Sequence, residues 1–304
     1  MSSRAKPRRS RGEVEGPAFS FASSASFASD ASLLHNLHVR NLKLTLAYDG
    51  SDFFGWQLQP DVPTVQGTLV DVLRRLTGEK LWLWGCSRTD AGVHAEGQVC
   101  NFKTRNPIPA ENLQRALNNL LPPSIRILRV EEVSPDFHAR WHAQAKTYRY
   151  RILQAPICPP ALWRFVYHYP LPLDAAAMAA AAPFFEGEHD FSSFGAWDPE
   201  EAEHSRIRTV YSSGVEAHPD AQELVYTVRG RSFLRYQVRK MVGTLIEIGK
   251  GSLAPDDIPR IFAARDRSQS GFTAPPEGLC LVEVEYPAEI VPAASSAQTS
   301  ADSV

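Results

Sequence analysis

The stretch "LWLWGCSRTDAGVHAEGQVCNFKT", residues 81–104, decides how the rest of the chain is read. "LWLWGC" (81–86) is an apolar run rich in strand formers, and "GQVCNFKT" (97–104) alternates apolar with polar residues, so both predict strands. Between them lies a loop that holds a single carboxylate, Asp90, flanked by Arg88, Thr89 and an Ala-Gly turn. An Asp in a turn ordinarily serves the backbone. Gly92 permits close backbone approach, however, and Arg88 is near enough in sequence to bond the carboxylate. The ordinary Asp pKa of about 3.9, lowered further by such an Arg, implies a carboxylate that is ionised at neutral pH and needs no base to act as a nucleophile.

Outward from this loop, "LKLTLAY" (42–48) predicts a half-buried strand. Thr64 precedes a predicted helix in "VQGTLVDVLRRLTG", where Val65, Leu69, Val70 and Leu73 recur at helical spacing and Gly78 supplies the stop. "AENLQRALNNLL" predicts a second helix between Pro109 and Pro122, and "IRILRVEEV" (125–133) a returning strand. A similar series begins at "AKTYRYRILQ" (145–154). It continues with a helix in "DAAAMAAAAPFFEG", strands in "TVYSSGVEA" and "ELVYTVRG", a helix from about Phe233 to Ile248, a shorter helix after Pro255 and a last strand "LCLVEVEY". This order predicts two α+β halves, 41–144 and 145–288, that share a sheet and meet at a cleft. Residues 1–40 are basic, then Ser- and Ala-rich, and read as a disordered leader; 289–304 read as a polar tail.

Bulk properties narrow the function. The formal charge is −2, which excludes a general polyanion binder and confines any nucleic-acid surface to a local patch. The four Cys are scattered without a C-x-x-C pair, so neither structural zinc nor a disulfide framework is expected. Apolar runs stop well short of the roughly 18 to 20 residues of a membrane span. No glycine-rich phosphate loop follows a strand, which argues against a nucleotide cofactor. The leader lacks an apolar core of a secretory signal; a cytoplasmic location is expected, with an organelle transit peptide as the other reading.

Two further segments carry charge. "FHARWHAQAKTYRYR" (137–151) interleaves Arg140, Lys146, Arg149 and Arg151 with Phe137, Trp141, Tyr148 and Tyr150. That composition suits either nucleic acid or a plain amphipathic strand. "RGRSFLRYQVRKMVG" (229–243) holds Arg229, Arg231, Arg235, Arg239 and Lys240 with no acid among them, which points to a phosphate or carboxylate partner. On the expected helix, Val238, Met241, Val242 and Leu245 form the buried stripe, and Arg235 and Arg239 share another face. His138 and His142 are four apart, but the surrounding chain reads as extended or irregular, so no metal site is expected.

Five blocks in order, "YDGSDFFGWQ", "GCSRTDAGVHAEGQVCNF", "FHARWHAQAKTYRYRI", "FLRYQVRKMVGTLIEIGKG" and "TAPPEGLCLVEVEYP", resemble the TruA-type tRNA pseudouridine synthases over roughly residues 42–287. The resemblance implies the pseudouridine synthase fold: α+β, two related halves forming a mainly antiparallel sheet with a central cleft. It implies isomerisation of uridine to pseudouridine at positions 38, 39 and 40 of the tRNA anticodon stem-loop, with no cofactor, and a homodimer. By motif, Asp90 matches the family's catalytic aspartate, Arg88 its ionic partner, and Tyr148 the residue that stacks on the target base and assists proton transfer at C5. Arg229, Arg231, Arg235, Arg239 and Lys240 are the expected tRNA contacts. Ser87 departs from the pattern, standing where many relatives have Gly or Ala. A non-catalytic RNA-binding protein of the same fold is the alternative. A two-carboxylate hydrolase lacks its second acid.

Overall fold

In a computed structural model of the chain, residues 39–196 and 205–288 are described; the expected leader up to residue 38 and the tail 289–304 lie outside them. The strand predicted at 42–48 is β1 (Arg40–Tyr48), whose Leu42, Leu44, Leu46 and Tyr48 all point to one buried face. α1 (Val65–Thr77) begins where Thr64 accepts from the amide of Gly67, and ends at Gly78 in the left-handed region. The run 81–86 pairs over a shorter span than expected, as β2 (Leu83–Gly85). β3 (His94–Thr104) is longer than the predicted 97–104, and it is followed by α2 (Ala110–Leu120) and β4 (Ile125–Val133).

The second series opens with β5 (Ala145–Leu153) and a short β6 (Tyr167–His168) that the sequence pattern did not suggest. α3 (Ala175–Ala181) runs into a tight 3-10 turn at Pro183, followed by β7 (Gly187–Asp190), also unanticipated. β8 (Ile207–His218), β9 (Glu223–Gly230), α4 (Gln237–Gly249), α5 (Asp257–Ala264) and β10 (Leu279–Glu285) complete the set. Among the described residues, no helix is long and apolar enough to cross a membrane.

The ten strands among the described residues join one sheet in the order β4-β1-β3-β10-β5-β9-β8-β7, with β2 beside β3 and β6 beside β5. Pairing is antiparallel except for β3 with β10 and β5 with β6. The β3–β10 pair joins the two series, matching Cys280 to His94 and Leu281 to Ala95. Parallel neighbours enter the sheet from the same end. The loop before β3, which carries Asp90, and the loop before β10, residues 272–278, therefore lie side by side. Antiparallel register then sets Tyr148 of β5 against Leu281 of β10.

The core lies under the helices. α1 and α2 bury Leu69, Leu73, Leu113 and Leu117 in one apolar cluster with Leu42, Leu44 and Leu46 of β1, α2 lying along β4, while α4 buries Met241, Val242, Leu245 and Ile246. α4 is enclosed on nearly every side, and Lys240 and Thr244 are buried with the apolar stripe.

Candidate active site

The loop from Cys86 to Val93 is held at every turn by backbone bonds. Cys86 donates to the carbonyl of Val99 at 2.8 Å, and Val93 donates to the carbonyl of Asp90 at 3.1 Å, closing the turn that contains Gly92 at φ +79°. The side chain of buried Gln98 donates to the Ser87 carbonyl at 2.8 Å. The segment 48–56 supports the loop from below: Trp56 donates to the Thr89 carbonyl at 3.0 Å, and the Tyr48 hydroxyl meets Thr89 Oγ1 at 2.8 Å. Gly55 at φ +86° lies so close that a Cβ there would stand 2.6 Å from the Thr89 oxygen. Two of the sequence blocks are thus fitted backbone to backbone, and they fix where Asp90 can point.

Asp90 takes its guanidinium from Arg239. Nη1 of Arg239 donates to Asp90 Oδ2 at 3.1 Å while its Nε donates to the carbonyl of Ala274 at 2.7 Å, so the loop before β10 aims the guanidinium. The ring of Tyr236 lies beneath it at 5.2 Å and beneath Arg235 at 4.9 Å. The sequence points to Arg88, two residues away and exposed, as the partner of Asp90; the guanidinium seen on Oδ2 belongs to Arg239, 149 residues further along. Asp90 retains 20% side-chain exposure. Its pKa is raised rather than lowered, because burial outweighs the attraction of Arg239 and Arg235. The sequence reading anticipated the opposite direction because it weighed a neighbouring charge without the burial.

Tyr148 stands beside this pair. It is 6% exposed, its hydroxyl lies 2.9 Å from Ser87 Oγ, and Phe233 meets its ring edge-on at 5.3 Å. Burial raises its phenol well above the usual range, so the hydroxyl stays protonated.

A family model described as tRNA pseudouridine synthase matches residues 45–142 and 181–287. The chain is 51% identical over 249 residues to tRNA pseudouridine synthase A of Solibacter usitatus, covering 82% of this chain and all of that protein. It is 47% identical over 248 residues to tRNA pseudouridine synthase A of Moorella thermoacetica (81% of this chain, 99% of that protein) and 46% identical over 248 residues to that of Brevibacillus brevis (82% and 100%). The chain belongs to the tRNA pseudouridine synthase family.

The first segment matching the tRNA pseudouridine synthase model contains Asp90, and the second contains Arg239. Their ion pair crosses the seam between β3 and β10. Neither Arg239's pairing nor Ser87's bond to Tyr148 was foreseen, and no local signal in the sequence marks either.

The remaining expected tRNA contacts divide. Lys240 is 6% exposed, and its ammonium donates to the carbonyls of Gly271 at 2.6 Å and Arg267 at 3.2 Å, with burial pushing its pKa down to about 8. Arg229 makes a two-pronged bond to Glu285, 2.7 Å on each side. Arg235 precedes α4 rather than riding on it, because Tyr236 adopts φ +63° and the helix starts at Gln237. Arg231 and Arg235 are exposed. In the other basic segment, Arg149 pairs with Glu96 and Arg151 with Glu223. Register puts these two Arg on the sheet face opposite Tyr148, in keeping with the amphipathic-strand reading. Among the described residues, no group of three or more His, Cys, Asp or Glu could hold a metal ion.

Proposed function

We propose that this chain isomerises uridine to pseudouridine in tRNA, at positions 38, 39 and 40 of the anticodon stem-loop. The observation that carries this reading is the partly exposed Asp90 carboxylate, ion-paired to Arg239 in a site that also contains the Tyr148–Ser87 hydroxyl pair. The reaction breaks the bond from ribose C1′ to uracil N1 and forms one from C1′ to C5. The C5 proton is lost and N1 gains one, so the atoms balance without a redox partner. Asp90 acts as the nucleophile, at C6 of the base or by promoting departure of the base from the ribose. Arg239 holds one carboxylate oxygen and leaves the other for the substrate.

The target uridine leaves its stack to reach this carboxylate, and the Tyr148 ring offsets part of the cost. A phenol that stays protonated is a relay rather than a resting base. Tyr148 passes the C5 proton on by exchanging donor and acceptor roles with Ser87. Arg88, at the mouth of the loop, helps hold the duplex open, and Arg231 and Arg235 take backbone phosphates, which positions the RNA without reading its sequence. The enzyme acts in the cytoplasm as a homodimer, with one tRNA touching both subunits.

Incubating the purified chain with unmodified tRNA transcripts, followed by carbodiimide-blocked reverse transcription, should give stops immediately 3′ of positions 38 to 40. Transcripts that bind but never acquire pseudouridine would establish the non-catalytic RNA-binding alternative instead.

A further inference from the structure

The loop between β4 and β5 holds an indole whose position neither the core nor the Asp90 site explains. Trp141 is 76% exposed, yet one face of its ring is stacked on His138 at 3.9 Å and 11°. His138 in turn meets Trp84 at 5.7 Å. The backbone beneath is equally fixed: Nδ1 of His138 accepts from the amides of Arg140 and Trp141 at 3.1 and 3.4 Å, and His142 Nδ1 accepts from the amide of His138 at 3.0 Å. Asn41 and Asn101 bond the Phe137 carbonyl at 2.8 and 3.2 Å, and Tyr286 the Ala139 carbonyl at 2.7 Å. A large aromatic is thereby held rigid with its second face open.

Beside it lies a hollow of about 590 Å³ lined by Trp141, His142, Gln144, Tyr211, Arg229 and Arg231. Glu285 neutralises Arg229, so Arg231 leaves the lining of the hollow with a positive charge, and the exposed Arg140 precedes Trp141 in the chain. Its position follows from the strands. Gln144 precedes Tyr148 by four residues, about 13 Å along β5. Arg231 precedes by two residues Phe233, which touches the Tyr148 ring. The hollow therefore lies about 13 Å from Tyr148, within reach of an RNA that occupies the Asp90 site.

We propose that Trp141 is a stacking platform for a second base of the tRNA, one neighbouring the flipped uridine, with Arg231 and Arg140 on the adjoining phosphates. This inference rests on tRNA being the substrate. A pre-fixed aromatic face loses little freedom on binding, and a cationic border suits a nucleotide better than an apolar protein surface, which would leave the guanidinium groups unmatched.

The test compares full-length wild type, Trp141→Ala and Trp141→Phe for affinity to an unmodified tRNA transcript, for steady-state rates and for melting temperature. Trp141→Ala should raise Kd about 5- to 100-fold. The loss should fall on KM rather than kcat, Trp141→Phe should recover most of it, and the melting temperature should stay put because the side chain is exposed. Affinity within twofold of wild type would overturn the assignment. So would a loss that Phe fails to rescue and that comes with lower melting, or a changed sedimentation coefficient at unchanged tRNA affinity, which would mark a protein contact. A wild type that binds tRNA without making pseudouridine would overturn the proposed activity instead, while the Kd series would still report on Trp141.

Discussion

Arg239 reaches Asp90 from the far side of the sheet seam, 3.1 Å from Nη1 to Oδ2, and the same guanidinium is tethered at 2.7 Å to the Ala274 carbonyl. It both orients the carboxylate and opposes the upward pull that burial exerts on its pKa. Activity needs Asp90 ionised, so the acid limb of kcat/KM should lie above the ordinary Asp value of 3.8, with rate lost as pH falls through the raised pKa. Arg239→Gln removes the opposing attraction, so the limb should move to still higher pH, and the loosened carboxylate should cost roughly 10²-fold in kcat across the plateau. Arg239→Lys should bring the limb back toward wild type and recover part of the rate. A pH–rate profile of Arg239→Gln with its limb unmoved would separate the guanidinium from the titration of Asp90.

Tyr148 offers a cleaner partition of ring from hydroxyl. Tyr148→Phe keeps the aromatic face and the contact with Phe233 but leaves Ser87 without its 2.9 Å partner. The stability cost should be about 1 kcal/mol. Loss of a proton relay should lower the single-turnover rate by about 10²-fold or more at unchanged tRNA affinity. Ser87→Ala should show a smaller fall in the same direction, since Tyr148 keeps its hydroxyl but loses the group it exchanges with. Full turnover by Tyr148→Phe would reduce Tyr148 to packing.

Local chemistry made much of the fold legible. Thr64 and Gly78 bound α1 in the sequence as they do in space, and the two Pro that flank α2 fixed its limits, because caps and breakers act within a turn. The loop position of Asp90 was legible for the same reason. Its partner was not, since the β3–β10 pairing that brings Arg239 to it is parallel and joins distant parts of the chain. The surroundings of Lys240 were hidden for a related reason. Arg267 and Gly271, 27 and 31 residues further along the chain, offer their carbonyls to its ammonium. The start of α4 was misplaced because the left-handed backbone of Tyr236 is unusual for a bulky residue.

These placements separate two basic residues that look equivalent in sequence. Arg231→Ala should weaken tRNA binding and reduce the slope of log K against log salt by about 1, the signature of one lost phosphate contact. Lys240→Met should leave the slope of the folded protein untouched. It should instead lower stability by about 1–3 kcal/mol, because the carbonyls of Gly271 and Arg267 lose their donor. Binding titrations at several salt concentrations, paired with denaturant melts, distinguish the two. A salt slope reduced by Lys240→Met would mean that its ammonium leaves the carbonyls to meet RNA.

Gly55→Ala tests whether the Asp90 loop is positioned by the segment below it. At φ +86° any side chain is strained, and the new Cβ would also press to 2.6 Å on the Thr89 oxygen, the atom that accepts from Trp56. Both effects destabilise, by about 1–3 kcal/mol together. The displaced backbone is that of the residue immediately before Asp90, so kcat should fall by more than the folded fraction accounts for. Gly78→Ala is the matched control. Its φ of +73° carries a similar backbone strain, but a Cβ there meets nothing within 4 Å, and it lies at the end of α1 outside the Asp90 loop. Gly78→Ala should therefore lose stability and keep its rate per folded molecule. Equal losses of rate in the two variants would show that general destabilisation, rather than the seating of Asp90, limits the reaction.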